Sequence, residues 1–419
     1  MASVSALLLP ACARAPSEDR LAVSCGGVGL QFELCRSGAE AWAEKTGRHV
    51  SFVSTPVSSS ERLALYQQLL AARAPDVDVL QIDVVWPGIL GPHLLDLSAY
   101  VPTDDILAHV AAIVRNNTVE GRLVALPWYA DAGVLYVRRD LLERYGRPVP
   151  ETWDALAETA RLVQAGERAA GDDHLWGYVW QGRAYEGLTC NALEWLASSG
   201  AGTIVDSDGR ARVQDPRVEA AVERAASWVG TISPPGVLNY GEEEARGVFQ
   251  LGHAVFMRNW PYAWGALEAP DSPVRGRVDI ARLPKGSEED EPAATLGGWQ
   301  LAVSRYSRHP ELAVDLIRFL TRPAEQRRRA LAGAFLPTIE ALYDDPELRA
   351  SRPFLDTLHA TVLAGVSRPS RVTGVKYNQV SAAFYRAVHA ALERPGTARG
   401  QLMILDARLQ HLSRGGRWR

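Results

Sequence analysis

The sequence predicts an α/β protein of two lobes, each a doubly wound sheet covered by helices. Three observations lead there. The 419 residues exceed what one hydrophobic core usually covers. Short apolar runs alternate with helical patterns through the first hundred residues and again after residue 130. Beyond residue 303 that alternation gives way to helices alone, as expected if the chain returns to its first lobe.

In order, residues 21–24 read as a strand, and Phe32, Cys35, Ala39 and Trp42 recur at helical spacing until Gly47. A second strand falls at 50–53. Ser58, three residues before Glu61, forms a candidate capping box for a helix whose face carries Leu63, Tyr66 and Leu70. The run 77–82 is a third strand ending at Asp83, and three strands separated by helices call for a parallel sheet. Ligand sites in such sheets lie beyond the strands' carboxyl ends, where residues 29–31, 58–62 and Asp83 fall.

A second unit follows residues 126–131, with a strand at 134–137 and a helix around 141–145. The first crossover is placed there. Thr152 is a candidate N-cap, residues 176–181 return as a strand, and Val218, Val222, Ala225 and Trp228 mark an amphipathic helix. A helix at 242–251 and a strand at 254–258 leave Asn259-Trp260-Pro261-Tyr262 as an aromatic loop at a strand end. After a strand at 278–283, the acidic stretch 285–292 reads as a solvated loop. Gly297-Gly298-Trp299-Gln300 opens a strand to 303, followed by helices at 310–320, 323–331, 354–363, 377–392 and 398–412.

Composition narrows the function. With 45 basic against 49 acidic side chains, no basic block neutralises a run of phosphates, so nucleic acid is not an expected partner. Twelve Trp and thirteen Tyr supply flat rings that pack cores and also stack on the apolar faces of sugars. No Asp-rich loop or His-Glu-x-x-His pair appears, so neither metal nor cofactor is expected. Gly-x-Ser-x-Gly is missing as well.

Residues 4–11 form an apolar segment far shorter than the roughly 20 residues needed to span a bilayer. The following Leu9-Pro10-Ala11-Cys12 resembles the lipobox of bacterial lipoproteins. Residues 1–20 are therefore assigned to a signal or lipoprotein segment and linker, with a periplasmic or otherwise extracytoplasmic location and Cys12 as the candidate lipid anchor. Of the remaining cysteines, Cys25 and Cys35 are the preferred bridge, tying the end of the first strand to the next helix. So short a loop is worth roughly 2–3 kcal/mol in the chain-entropy model. Cys190 is then a buried thiol. Three reduced core thiols, which would suit a cytoplasmic protein, are the alternative.

Several segments together resemble extracellular solute-binding proteins of carbohydrate ABC importers, near the trehalose/maltose-binding branch. They are Cys25-Gly26-Gly27-Val28-Gly29, Glu61-Arg62-Leu63-Ala64-Leu65-Tyr66-Gln67-Gln68-Leu69-Leu70, Asp76-Val77-Asp78-Val79-Leu80-Gln81-Ile82-Asp83-Val84-Val85-Trp86, Gln181-Gly182-Arg183-Ala184-Tyr185-Glu186-Gly187-Leu188 and Gly297-Gly298-Trp299. The resemblance runs nearly end to end. It implies a periplasmic-binding-protein-like fold of two lobes joined by crossing hinge segments, 21–131 with 301–347 and 132–300 with 348–419. It also implies a monomer that closes over a sugar, a glucose-containing disaccharide, and docks on the importer's permease subunits. Carried over by motif, Asp83 and Asp131 accept from sugar hydroxyls, Arg62 and Arg368 donate, Trp260 and Trp299 stack on pyranose faces, Tyr129 supplies an edge and a hydroxyl, and Gly297 lets the backbone approach. Ser58 joins the set. Gln31 stands where the family often carries Glu, and a neutral amide both donates and accepts.

Each residue also has a plainer reading. Asp83 can cap the turn into Pro87-Gly88, Asp131 can form an Asx turn beside Gly133, Trp299 can sit at a bulge beside the core, and a lone Arg such as Arg368 is most often salt-bridged. The rival functional classes are a glycoside hydrolase using Asp83 and Asp131, and a binder of another small polar solute, a peptide or a polymer. The expectation taken forward is a binder that breaks no bond.

Overall fold

The computed structural model describes residues 20–26, 29–352, 354–416 and 418. Cys12 and the lipobox-like segment lie outside the described residues. The strands are β1 (Arg20–Ser24), β2 (His49–Phe52), β3 (Val79–Asp83), β4 (Thr118–Val119), β5 (Arg122–Leu123), β6 (Leu126–Ala132), β7 (Val134–Arg138), β8 (Trp176–Val179), β9 (Ala254–Asn259), β10 (Val278–Ala281) and β11 (Leu296–Val303). They form two main sheets, β2-β1-β3-β11-β6 and β10-β7-β9-β8, and a small ladder of β4 with β5.

Strands β1, β2 and β3 are parallel, connected by the helices Gly29–Thr46 and Ser59–Ala71. The expectation of a wholly parallel sheet is corrected at β11, which runs antiparallel to both β3 and β6. The reason is the route of the chain. Strand β3 ends at the cleft with Asp83, whereas β11 re-enters from the other lobe, begins at the cleft and runs away from it. Strand β7 does the same in the second sheet, antiparallel to both β9 and β10.

The lobes are joined by three adjacent crossings. Only Gly133 separates β6 from β7, and its N–H donates to Thr295 O at 3.3 Å. Thr295 pairs in turn with Val366, whose N–H donates to Ala294 O at 2.8 Å while Leu296 N–H donates to Val366 O at 2.9 Å.

The first lobe packs Leu21, Val23, Trp42, Trp128, Leu301 and Ile317 into one core. The second packs Trp153, Tyr178, Trp180, Trp195, Trp228 and Phe384. A further cluster joins Ala130, Val134, Tyr136 and Met257 to Leu336, Leu348 and Leu358. Seven of the twelve Trp are fully buried, so core packing absorbs most of the rings. Thr152 caps the helix Trp153–Ala169, its hydroxyl accepting from Ala155 N–H at 3.2 Å. The helix Glu186–Ala197, to which no periodic pattern pointed, is buried at every residue except Ala197. An all-round buried helix has no polar face and so no 3.6-residue contrast to read. Cys25 and Cys35 are disulfide-bonded, with Cα atoms 5.7 Å apart, and Cys190 is a free, buried thiol.

Candidate functional site

A cavity of about 200 Å³ opens between the lobes where the strand ends meet the crossings. Gln31, Arg62, Asp83, Tyr129, Asp131, Trp260, Gly297, Trp299 and Arg368 all line it. Register explains the grouping: in the first sheet Trp299 lies opposite both Asp83 and Tyr129, and Gly297 opposite Asp131. Three strands thus deliver their cleft-side ends to one place.

Ser58 is not among the lining residues; its neighbour Ser59 is. The Ser58 hydroxyl instead accepts from Glu61 N–H at 3.5 Å as the N-cap of the helix Ser59–Ala71. Its orientation is set by the free amides of the helix start, which take its oxygen.

Asp83 takes its plainer role as well. Its Oδ1 accepts from Val85 N–H at 3.1 Å, as a turn cap would, and from Arg368 Nη2 at 2.9 Å. Its Oδ2 makes no hydrogen bond among the described residues. Asp131 makes no side-chain hydrogen bond or ion pair among them, although it is only 6% exposed. Burial holds its carboxyl well above the usual carboxylate range; Arg258 opposes the shift and the Asp83 charge adds to it. No Asx turn forms there. A buried carboxyl without a partner is costly unless something enters the cavity to meet it.

Arg62 is buried, with Nε and Nη2 donating to Pro56 O at 3.1 and 3.0 Å. Its Nη1 has no hydrogen-bond partner among the described residues, and burial lowers its pKa. Arg368, expected to donate to a ligand, is committed to protein carboxylates: Nη1 lies 2.8 Å from Glu186 Oε1 and Nη2 2.9 Å from Asp83 Oδ1. Glu186 also accepts from Tyr377 and Ser381 hydroxyls, while its N–H donates to Ser60 Oγ at 3.3 Å. Gln31 Nε2 donates to the Tyr129 hydroxyl at 2.5 Å. Burial raises the Tyr129 pKa, against the pull of Arg329 behind it. That guanidinium has no hydrogen-bond partner among the described residues and is caged by the Trp128, Tyr129 and Phe335 rings; burial lowers its pKa to about 9.

Each lining Trp carries a guanidinium over one face. Arg258 stands 4.1 Å from the Trp260 ring centre and Arg62 4.8 Å from that of Trp299. Trp86 meets Trp299 edge-on at 5.5 Å. A β-carbon on Gly297 would come within 2.8 Å of the Trp260 ring, so only glycine allows this approach. The strand does carry a bulge at Trp299/Gln300, so the plainer reading of that segment also holds.

Glu186, Glu242, Glu243, Arg246 and Tyr262 line the cavity too and were not predicted. Tyr262 lies in the aromatic loop that the sequence marked, and its hydroxyl donates to Glu243 Oε1 at 2.6 Å. Glu242 accepts from the Tyr185 hydroxyl and, at 3.4 Å, from Trp260 Nε1. The acidic triplet at 242–244 opening a helix was the available signal, but acids there are ordinary complements to the helix dipole. Among the described residues no group of three or more His, Cys, Asp or Glu could hold a metal ion, and no helix is long and apolar enough to cross a membrane.

Two lobes around a polar cleft lined by indole rings and bounded by three crossings define a protein built to enclose a small polar molecule. Residues 36–327 match the family described as bacterial extracellular solute-binding protein, and the chain belongs to that family. It is 49% identical to a probable ABC transporter-binding protein of Deinococcus radiodurans, over 94% of each chain. Its structure superposes on maltose-bound MalE3 of T. maritima with a TM-score of 0.89 and 38% identity, covering 94% of this chain and 99% of that one. A D-mannitol-bound solute-binding protein of Agrobacterium vitis, 20% identical, shares the fold with a TM-score of 0.80 over 94% of this chain and 98% of that one.

Proposed function

We propose that this chain is the sugar-capturing component of an ABC importer, closing over a glucose-containing disaccharide of the trehalose or maltose type and breaking no bond in it. The observation that carries the reading is a group of cavity-lining atoms without hydrogen-bond partners among the described residues: both oxygens of Asp131, Oδ2 of Asp83, Nη1 of Arg62 and Nε of Arg368. Acceptors beside buried donors suit hydroxyl groups, which both donate and accept. Trp260 and Trp299 both line the cavity, each with a guanidinium over its ring, and the indole surface they show there suits a pyranose. The maltose-bound relative supports the ligand class, and the polyol-bound relative shares only the fold.

In this reading the lobes are residues 21–131 with 301–347 and residues 132–300 with 348–419, except that residues 296–300 go with the first lobe because they open strand β11 of its sheet; the protein works as a monomer, a lipid on Cys12 holds it at the outer face of the membrane, and the closed form is what the permease subunits receive. Ligand bridging both lobes shifts the hinge by its greater affinity for the closed state. Isothermal titration calorimetry of the soluble form, lacking residues 1–12, against trehalose, maltose, sucrose and glucose tests it. One-to-one binding at micromolar affinity or tighter, without heat of turnover, is the expected result. Silence across all four sugars would reject the disaccharide.

A further inference from the structure

We propose that Arg258 and Glu194 form a pivot joining the ring of Trp260 to the hinge, which makes Arg258 a positioning residue for closure. The inference rests on the reading of Trp260 as a wall of the ligand site. Both partners are 0% exposed, and the contact is two-pronged: Arg258 Nε lies 2.8 Å from Glu194 Oε2, and Nη2 2.5 Å from Oε1. The third nitrogen, Nη1, donates to Gln181 Oε1 at 3.1 Å, and Gln181 Nε2 donates back to Arg258 O at 2.9 Å. With every donor nitrogen held, the guanidinium plane is fixed, and so is the Trp260 ring 4.1 Å above its centre.

The other end of the pair meets the hinge. Glu194 Oε1 accepts from Thr295 N–H at 3.1 Å, fastening the second crossing to the helix Glu186–Ala197. The first crossing passes directly over the same atoms. A β-carbon on Gly133 would lie 2.0 Å from Glu194 Oε1 and 2.6 Å from Arg258 Nη2, so the segment can take this path only as glycine. Gly133 N–H then donates to Thr295 O. One carboxylate therefore anchors two crossings on the second-lobe side, and rotation between the lobes is confined to the residues on the first-lobe side of that anchor.

Trp260 completes the arrangement. Its ring abuts Gly297, two residues beyond Thr295 on the first-lobe strand β11, so it sits between the fixed guanidinium of one lobe and the backbone of the other. A ligand that touches this ring touches the element against which the lobes come to rest. Buried ion pairs seldom add stability over well-packed apolar residues, and defined geometry is the better-attested reason to keep one.

The test uses Glu194→Gln, Arg258→Lys and the apolar double variant Arg258→Met with Glu194→Leu. Three quantities are measured: amide exchange at Thr295, the lobe-to-lobe distance distribution from paired fluorescent labels, and sugar affinity. Without ligand, Glu194→Gln should speed Thr295 exchange at least tenfold and broaden the distance distribution, while exchange in β2 and β10 is unchanged. Sugar affinity should fall about tenfold in Arg258→Lys, which keeps the charge and loses the flat guanidinium. Unchanged Thr295 exchange and lobe distances, or an apolar double variant that binds and closes like the wild type, would overturn the pivot. A wild-type protein that binds none of the sugars would reject the site reading instead; the ligand-free measurements would still decide whether the pivot exists.

Discussion

Arg368 spans the cleft to Asp83 with Nη2 2.9 Å from Oδ1, while its Nη1 is held 2.8 Å from Glu186 Oε1. Asp83 ends a strand of the first sheet and Glu186 begins a helix of the second lobe, so one guanidinium ties the lobes together. Its side chain is 2% exposed and each carboxylate side chain 10%.

Removing that cation should be expensive. Arg368→Met leaves two buried carboxylates facing each other, and breaking a buried pair from one side typically costs about 3–5 kcal/mol. Urea unfolding should show a loss of that order, and the double variant with Glu186→Gln should recover part of it. A single variant as stable as the wild type would show that the bridge carries no weight in the folded protein.

Asp131 should make the empty protein less stable as pH rises. Its folded pKa lies above the ordinary 3.8, so the folded state holds a proton that the unfolded state has released. The associated stability is complete below the unfolded pKa and is lost as pH climbs through the folded one. Asp131→Asn removes that loss. It should raise the ligand-free melting temperature at about pH 7.5, with the gain fading toward pH 4, and lower sugar affinity by roughly 5–10-fold, because the amide puts an NH2 donor where one carboxyl oxygen stood. Parallel melting curves for the two proteins across this range would refute the assignment.

His109 works with the opposite sign. Burial lowers its pKa from 6.5 to about 4, with Asp105 opposing, and its Nδ1 is 2.8 Å from the Thr338 hydroxyl. The folded state prefers the neutral ring, so its contribution is intact above pH 6.5 and disappears as pH falls toward 4. A difference of that size corresponds to at most about 3–4 kcal/mol. His109→Asn, which can keep a polar contact to Thr338, should flatten the stability profile in that window. Unfolding midpoints measured at half-unit intervals decide it: an unchanged slope removes His109 as the acid-sensitive group.

How far the sequence reaches is clear from particular residues. The β-branched run of β3 announced itself, as did the caps at Ser58 and Thr152, because these signals are local. Ser58 shows the limit of carrying roles over by motif: the local Ser-x-x-Glu pattern pointed to the cap, and the cap holds the hydroxyl. The direction of β11 was hidden, since it depends on where the chain re-enters the lobe. The helix Glu186–Ala197 was hidden for want of a polar face, and with it Glu186 and Glu194, the acids that hold Arg368 and the crossings. Arg258 looked like the last residue of a strand. Its partner lies 64 positions away, and no spacing rule connects them.

The division of labour between rings and charges in the cleft gives the most discriminating prediction. Trp299 contributes a surface, and the glucopyranose ring common to all four sugars presents the same apolar face to it. Trp299→Ala should therefore weaken every bound sugar together, by roughly tenfold or more, with their ranking preserved. Asp83 is different because Oδ1 is engaged by Val85 N–H and Arg368 while Oδ2 accepts no hydrogen bond among the described residues. A hydroxyl that reaches Oδ2 from the right direction gains a charged acceptor, and a sugar lacking it leaves that oxygen unpaired. Asp83→Asn keeps an acceptor toward Val85 and Arg368 but replaces the free oxygen by a donor, so the order of affinities across trehalose, maltose, sucrose and glucose should change. Titrating both variants against the same four sugars separates the roles, and equal losses across the panel for Asp83→Asn would show that it serves the fold and not the choice of ligand.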